Sequence, residues 1–199
     1  LPHLTLVVSP LLALIKDQLA FLKAHNISAA SVDSSASAQE SAQVMQDITD
    51  AKVKVLMISV ERFKNERFRR FIQGIPLSML VVDEAHCISE WGHNFRPDYL
   101  KLPSFVQQLN IPLVLLLTAT ATRAVKLDMA KKFRIAQSNI VQTGFYRSNL
   151  DLSVEAVKGG QKNARLIELI SASQAKTHSC GIVYVTLQKT AEQVASFLS

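Results

Sequence analysis

Residues 79–97 read Met79-Leu80-Val81-Val82-Asp83-Glu84-Ala85-His86-Cys87-Ile88-Ser89-Glu90-Trp91-Gly92-His93-Asn94-Phe95-Arg96-Pro97. The apolar run Met79 to Val82 stops at two adjacent carboxylates. In a parallel sheet, the residues just beyond a strand's C-terminus line the ligand crevice. An Asp there can hold a hard cation through its oxygens, and a Glu beside it can orient or deprotonate a water. This is the arrangement of acids that a nucleotide hydrolase needs. An Asp-Glu pair after an apolar run is also a common solvated strand end. The following residues decide between the two, because a structural loop has little reason to combine Trp91, Gly92, His93, Phe95, Arg96 and Pro97 so densely.

Upstream, Leu4 to Val8 reads as a core strand, and Ser9-Pro10 leads into a helix. Ser9 is placed to cap that helix and Pro10 to occupy its first turn. Leu11, Leu12, Ile15, Leu19 and Leu22 recur at helical spacing and predict its core face, with Lys16, Asp17 and Gln18 largely off it. A short strand and a loop are expected within Ser28 to Ser41, then a weak helix over Ala38–Thr49 with Ala42, Met45 and Ile48 inward. Val53 to Ile58 is apolar and β-branched, as in a strand covered on both faces. Lys64, Arg67, Arg69 and Arg70 interleave with Phe63, Phe68 and Phe71. The helical spacing of Phe68, Phe71 and Ile72 makes the rings core and the cations a solvated face.

Downstream, Asp98 to Asn110 reads as a broken helix whose second part begins at Pro103. Pro112 to Leu117 is expected to be a fully buried strand ending in Thr118-Ala119-Thr120-Ala121-Thr122, with Thr122 capping a helix over Arg123–Phe133. Ile140 to Thr143 reads as the last strand of this sheet, and Gly144 to Leu150 as a hinge. Strands over Leu152–Val157 and Gly181–Val185, a turn at Gly159-Gly160 and helices over Ala164–Ser171 and Thr190–Leu198 complete the pattern. Alternating buried strands and helices argue for an α/β fold with a parallel sheet.

Composition narrows the class. A 48% hydrophobic content supports a sizeable core, and no run is long enough for a membrane helix. The net charge of +6 is compatible with a polyanionic partner but equally with an ordinary solvated surface. Cys87 and Cys180 suggest neither a disulfide framework nor a zinc site, which favours a reducing compartment. His86 beside Cys87 lacks the second ligand pair that tetrahedral zinc requires.

Taken together, Asp83-Glu84-Ala85-His86 and the aromatic, basic stretch after it resemble motif II and the aromatic-rich loop of RecQ-family DNA helicases, in helicase superfamily 2. Ser9 to Gln18 resembles motif Ia, Ser59-Val60-Glu61-Arg62-Phe63 motif Ib, and Thr118 to Thr120 motif III. Gly144-Phe145-Tyr146-Arg147-Ser148-Asn149-Leu150 resembles the family's connection between two RecA-like domains. Val60 and Ser148 stand where the family commonly has Pro, and Asn94 where it has Asp.

The resemblance implies a RecA-like parallel sheet flanked by helices over residues 1–146, lacking its phosphate-loop part, and the beginning of a second RecA-like domain over 147–199. It implies an ATP-dependent 3′-to-5′ DNA helicase acting on single-stranded and partly duplex DNA. Such a protein would use ATP and Mg²⁺, would be cytoplasmic and DNA-associated (in the nucleoid if bacterial), and would have DNA-repair proteins as partners. Asp83 would bind the Mg²⁺ of Mg-ATP, Glu84 would activate the attacking water, and both would contact the nucleotide. His86 would link the nucleotide site to Thr118 and Thr120. Ser9, Pro10, Lys16 and Gln18, with Trp91, His93, Phe95 and Arg96, would contact DNA. Arg96 has two open roles, a phosphate contact or a bridge to the carboxylates. No G-x-x-x-x-G-K-[ST] loop occurs in the 199 residues, so the chain reads as a fragment that would not hydrolyse ATP alone. The competing readings are another superfamily 2 translocase and a degenerate, non-catalytic nucleic-acid-binding module.

Overall fold

The structure, a computed structural model, describes residues 1–32, 37–91, 95–144, 148–177 and 180–198. The chain divides into two units, Leu1–Gln142 and Thr143–Ser199.

The first unit is built on a five-stranded parallel sheet: β1 (Leu4–Val8), β2 (Ala29–Ser31), β3 (Val55–Ile58), β4 (Leu77–Val82) and β5 (Leu113–Leu116). Their order across the sheet is β2-β3-β1-β4-β5. Register puts Leu6 level with Leu56 and Leu80, Val8 with Ile58 and Val82, and Leu80 with Val114. Side chains alternate between faces along each strand, so Leu4, Leu6, Val8, Leu56, Ile58, Leu80 and Val82 share one face. That face carries the core, closed by α2 (Ala38–Thr49), α3 (Glu66–Gln73), α4 (Leu102–Gln108) and α5 (Arg123–Phe133) through Ile48, Phe68, Ile72, Leu102, Val125 and Met129. On the opposite face Ile15, of α1 (Leu12–Ala24), is buried, while Leu113 and Leu115 remain exposed.

Several expectations need correction here. The strand read at Pro112 to Leu117 is not fully buried: β5 lies at one edge of the sheet among the described residues, and Leu113, Leu115 and Leu117 are exposed. Helix α1 starts at Leu12 with Leu11 as its N-cap and no side-chain cap, so Ser9 does not cap it and Pro10 lies ahead of its first turn. Leu11 is exposed rather than core. Within α2, whose bounds agree, Ile48 is buried but Ala42 is exposed. A capping box closes its start, with Ser37 Oγ accepting from the Glu40 N–H and Glu40 accepting from the Ser37 N–H. Helix α3 does bury Phe68 and Ile72 and leaves Arg67, Arg69 and Arg70 exposed. Ile140–Thr143 forms no strand, and Val141 is almost wholly exposed.

The second unit contains α6 (Lys162–Thr177) and α7 (Gln188–Leu198), longer than read from sequence. The expected strands at Leu152–Val157 and Gly181–Val185 are absent: those residues are assigned to no sheet, and Leu152, Val154, Ile182 and Tyr184 are strongly exposed. A strand exists only with a paired neighbour, and no described segment supplies one. Arg165 joins this unit's extended start to α6 by pairing with Glu155 and Glu168. No described helix is long and apolar enough to cross a membrane.

Candidate functional site

The C-terminal ends of β1, β3, β4 and β5 lie side by side, and backbone hydrogen bonds continue past them. Ser9 N–H donates to Ile58 O, Asp83 N–H to Val8 O, Leu117 N–H to Val82 O and Ala85 N–H to Leu117 O, at 2.8–3.1 Å. These bonds order the rim on which the first residue beyond β4 is Asp83 and the second beyond β5 is Thr118.

Asp83 is half-buried and held at both oxygens. Oδ1 accepts from the Glu84 N–H at 2.9 Å, and Oδ2 accepts from the Ser9 hydroxyl at 3.1 Å. Each oxygen retains acceptor capacity. Glu84 follows with φ 48° and ψ 45°, the left-handed region that a non-glycine residue enters at a cost of about 1–2 kcal/mol. Bonds from its own N–H and from the Ala85 N–H on either side hold the backbone there. Departures of this kind gather at functional sites.

The left-handed step leads into the single 3-10 turn Ala85–Ile88, which is entirely buried. There the His86 Nδ1 stands 3.0 Å from Thr118 Oγ1 and 3.2 Å from Glu84 Oε2. Thr118 Oγ1 also accepts from the Thr120 N–H at 3.3 Å. Glu84, His86, Thr118 and Thr120 therefore form one connected group. A neutral Thr hydroxyl can donate to or accept from the ring, whereas a carboxylate only accepts. A proton on Nδ1 would thus be shared between Glu84 and Thr118, and its removal would leave Thr118 as the partner.

The aromatic stretch follows. Ser89 is wholly buried and its Oγ accepts from the Trp91 N–H at 3.3 Å, while the Trp91 ring is 77% exposed. His93 lies outside the described residues. Phe95 and Arg96 are half-buried. The Arg96 N–H donates to Cys87 O at 2.9 Å, and its guanidinium donates to Pro10 O at 3.1 Å. That second bond was not readable from the sequence, because a backbone carbonyl carries no residue signature. Tyr99 closes the loop with its N–H on Arg96 O at 2.9 Å and its ring fully buried.

Two of the expected DNA contacts are thus engaged within the protein. Ser9 is fully buried and both its donors are used internally, and the Pro10 carbonyl takes Arg96. Lys16 is exposed and Gln18 half-buried on α1. Cys87 is buried in the core, and that burial raises its thiol pKa above the ordinary value, as for a buried structural cysteine.

Comparison with known proteins now bears on this geometry. The DEAD/DEAH box helicase family matches residues 2–127. The chain belongs to that family. Over 191 residues it is 39% identical to the ATP-dependent DNA helicase RecQ of Bacillus subtilis (strain 168), covering 96% of this chain and 32% of that protein. It is 36% identical over 210 residues to the ATP-dependent DNA helicase Q5 of Mus musculus, covering 98% of this chain and 21% of the relative. The chain spans about a fifth to two fifths of the length of such relatives. The crystal structure of the Pyrococcus furiosus Hef helicase domain superposes with a TM-score of 0.50 at 19% identity, over 67% of this chain and 28% of that one. That likeness establishes the fold, a helicase-type RecA-like sheet.

The donor set around Asp83 suits a hard divalent ion. Among the described residues no three His, Cys, Asp or Glu side chains gather as an all-protein metal cage. Mg²⁺ typically takes one or two carboxylates, with waters and substrate phosphates completing its shell. A single oriented carboxylate at a sheet rim fits that habit.

Proposed function

We propose that this chain is part of the motor core of an ATP-dependent DNA helicase of RecQ type, coupling ATP hydrolysis to 3′-to-5′ movement on single-stranded DNA and to unwinding. On this reading residues 1–146 belong to the first RecA-like domain and residues 147–199 open the second. The observation that carries it is the connected group Asp83, Glu84, His86 and Thr118 on one sheet rim, with the aromatic loop rooted in the same turn.

Asp83 would hold Mg²⁺ through the lone pairs left free by Ser9 and the Glu84 N–H. The ion supplies charge neutralisation across the triphosphate. Glu84 orients the attacking water and accepts its proton. His86 transmits the state of Glu84 to Thr118 and Thr120, since one ring nitrogen faces both Glu84 and Thr118. The exposed Trp91 ring offers a stacking face for a base, worth about 1–3 kcal/mol per base in single-strand binders. His93 and Phe95 add to that loop, with Arg96 at its root. Lys16, exposed on α1, and Gln18, half-buried there, would add further contacts to the strand. The names of the relatives support ATP and DNA as the substrates, and DNA-repair proteins are the expected partners of a DNA-associated enzyme.

The test uses the full-length protein. Single-stranded DNA should stimulate ATP hydrolysis, and Glu84→Gln should bind nucleotide while losing turnover. Stimulation by RNA and not by DNA would assign another class of translocase. Undiminished turnover in Glu84→Gln would remove Glu84 from the chemistry.

A further inference from the structure

We infer that Ser9 is a positioning residue for the Asp83 carboxylate, and that Ser9-Pro10 ties this carboxylate to the aromatic loop. The inference rests on the reading of Asp83 as the Mg²⁺ ligand, and extends it to a residue whose sequence neighbourhood points instead to DNA.

Ser9 has no exposed surface. Its N–H is committed to Ile58 O and its hydroxyl to Asp83 Oδ2. Neither group can reach a DNA phosphate without breaking a bond inside the protein. Asp83 has two restraints of different kinds. The Glu84 N–H on Oδ1 is local and moves with the same turn, whereas Ser9 belongs to the end of β1, in the centre of the sheet. Rotation about the last side-chain bond of an Asp is soft, so a single restraint leaves the plane of the carboxylate poorly fixed. Mg²⁺ tolerates little departure from octahedral geometry, and loss of an outer-shell hydrogen bond commonly weakens metal binding by about 10-fold or more.

The adjacent residue makes the second connection. Pro10 O accepts the Arg96 guanidinium at 3.1 Å, so the root of the aromatic loop pulls on the same dipeptide that orients Asp83. The path Arg96, Pro10, Ser9, Asp83 is short, is fully buried at Ser9 and half-buried at its other members, and runs through bonds other than those that join Glu84, His86 and Thr118. A strand that displaces Arg96 would shift the dipeptide and, with it, the carboxylate.

The experiment measures Mn²⁺ binding by electron paramagnetic resonance with ADP present, and single-stranded DNA binding by fluorescence anisotropy without nucleotide, in the full-length protein. Ser9→Ala should weaken Mn²⁺ binding about 10-fold and leave the DNA dissociation constant within about twofold of the wild type, since the buried hydroxyl offers no donor to DNA and the Arg96 bond to the Pro10 backbone carbonyl does not depend on the Ser9 side chain. Ser9→Thr, which keeps the hydroxyl, should restore Mn²⁺ affinity. If Ser9→Ala does not fold, Ser9→Cys carries the same test, because a thiol is a weak donor of similar size. Unchanged Mn²⁺ affinity would overturn the inference, as would weakened DNA binding with Mn²⁺ binding intact. Asp83→Asn separates the layers: if it too leaves Mn²⁺ binding intact, the assignment of Asp83 itself fails, whereas its loss beside a silent Ser9→Ala removes only the role of Ser9.

Discussion

Tyr99→Phe should make the protein more stable. The Tyr99 side chain is fully buried, and its hydroxyl has no hydrogen-bond partner among the described residues. Burial, reinforced by the neighbouring Cys87, pushes the phenol's ionisation well above its usual range. The group is therefore a neutral hydroxyl at any working pH, and the relevant cost is that of an unpaired buried polar group, about 1–3 kcal/mol. Removing the oxygen relieves that cost and forfeits a few dispersion contacts worth about 0.1–0.2 kcal/mol each. The expected net gain is about 1 kcal/mol or more, which for a unit of this size raises Tm by roughly 2–4 °C per kcal/mol. Thermal and urea unfolding followed by circular dichroism would measure it. Tyr99→Ala is the control, because emptying the ring's volume should cost about 3–5 kcal/mol. The Tyr99 N–H bond to Arg96 O survives in Tyr99→Phe, so DNA stimulation of ATP hydrolysis should persist. A loss of 1 kcal/mol or more in Tyr99→Phe would refute the reasoning, for it would mean that the hydroxyl has a stabilising partner.

Two further outcomes are expected. Trp91→Ala should change stability by less than about 0.5 kcal/mol, because the ring is 77% exposed, while reducing DNA-stimulated ATP hydrolysis more than basal hydrolysis; an equal loss in both would indicate a packing role. Burial pushes the Asp128 carboxyl pKa up, but hydrogen bonds from Lys132 and Ser89 and the charge of Lys132 outweigh it, leaving the pKa below the ordinary carboxylate value. Its contribution is then complete above the unfolded-state pKa and is lost as pH falls through the lower folded-state value. Asp128→Asn should accordingly shrink the drop in Tm between neutral pH and pH of about 3, and an unchanged drop would contradict the argument.

The contrast between Asp83 and Ser9 shows which parts of this molecule a sequence exposes. That Asp83-Glu84 and Thr118 to Thr120 share a rim was legible because both stretches follow apolar runs, and a parallel sheet brings such ends together whatever the loops between them do; the place of His86 between them came from the family resemblance alone. Thr122 was legible for a local reason: its Oγ1 accepts from the Val125 N–H three residues on. Ser9 has the same local signature, a hydroxyl ahead of an apolar helix, yet its hydroxyl turns to an acceptor on the neighbouring strand end. A charged acceptor makes the stronger hydrogen bond, and the helix start is left with Leu11 and no side-chain cap.

The same logic accounts for the strands. Leu113, Leu115 and Leu117 have the composition of a central strand, but burial depends on what lies beside and above the strand, and β5 has a described neighbour on one side only, with Leu113 and Leu115 exposed within it and Leu117 just beyond it. Leu152–Val157 and Gly181–Val185 carry strand propensity without a described partner to pair with, and remain outside any sheet. Propensity specifies which segments are fit to pair, whereas pairing is a property of two segments. These errors do not touch the grouping of Ser9, Asp83 and Thr118, which depends on three adjacent strands, β1, β4 and β5, whose mutual register is complete over the residues that deliver them. Its least local element, the Arg96 bond to Pro10 O, joins residues far apart in the chain through a main-chain atom. No side-chain pattern announces such a bond, and it fastens the aromatic loop to the segment that leaves the sheet's central strand.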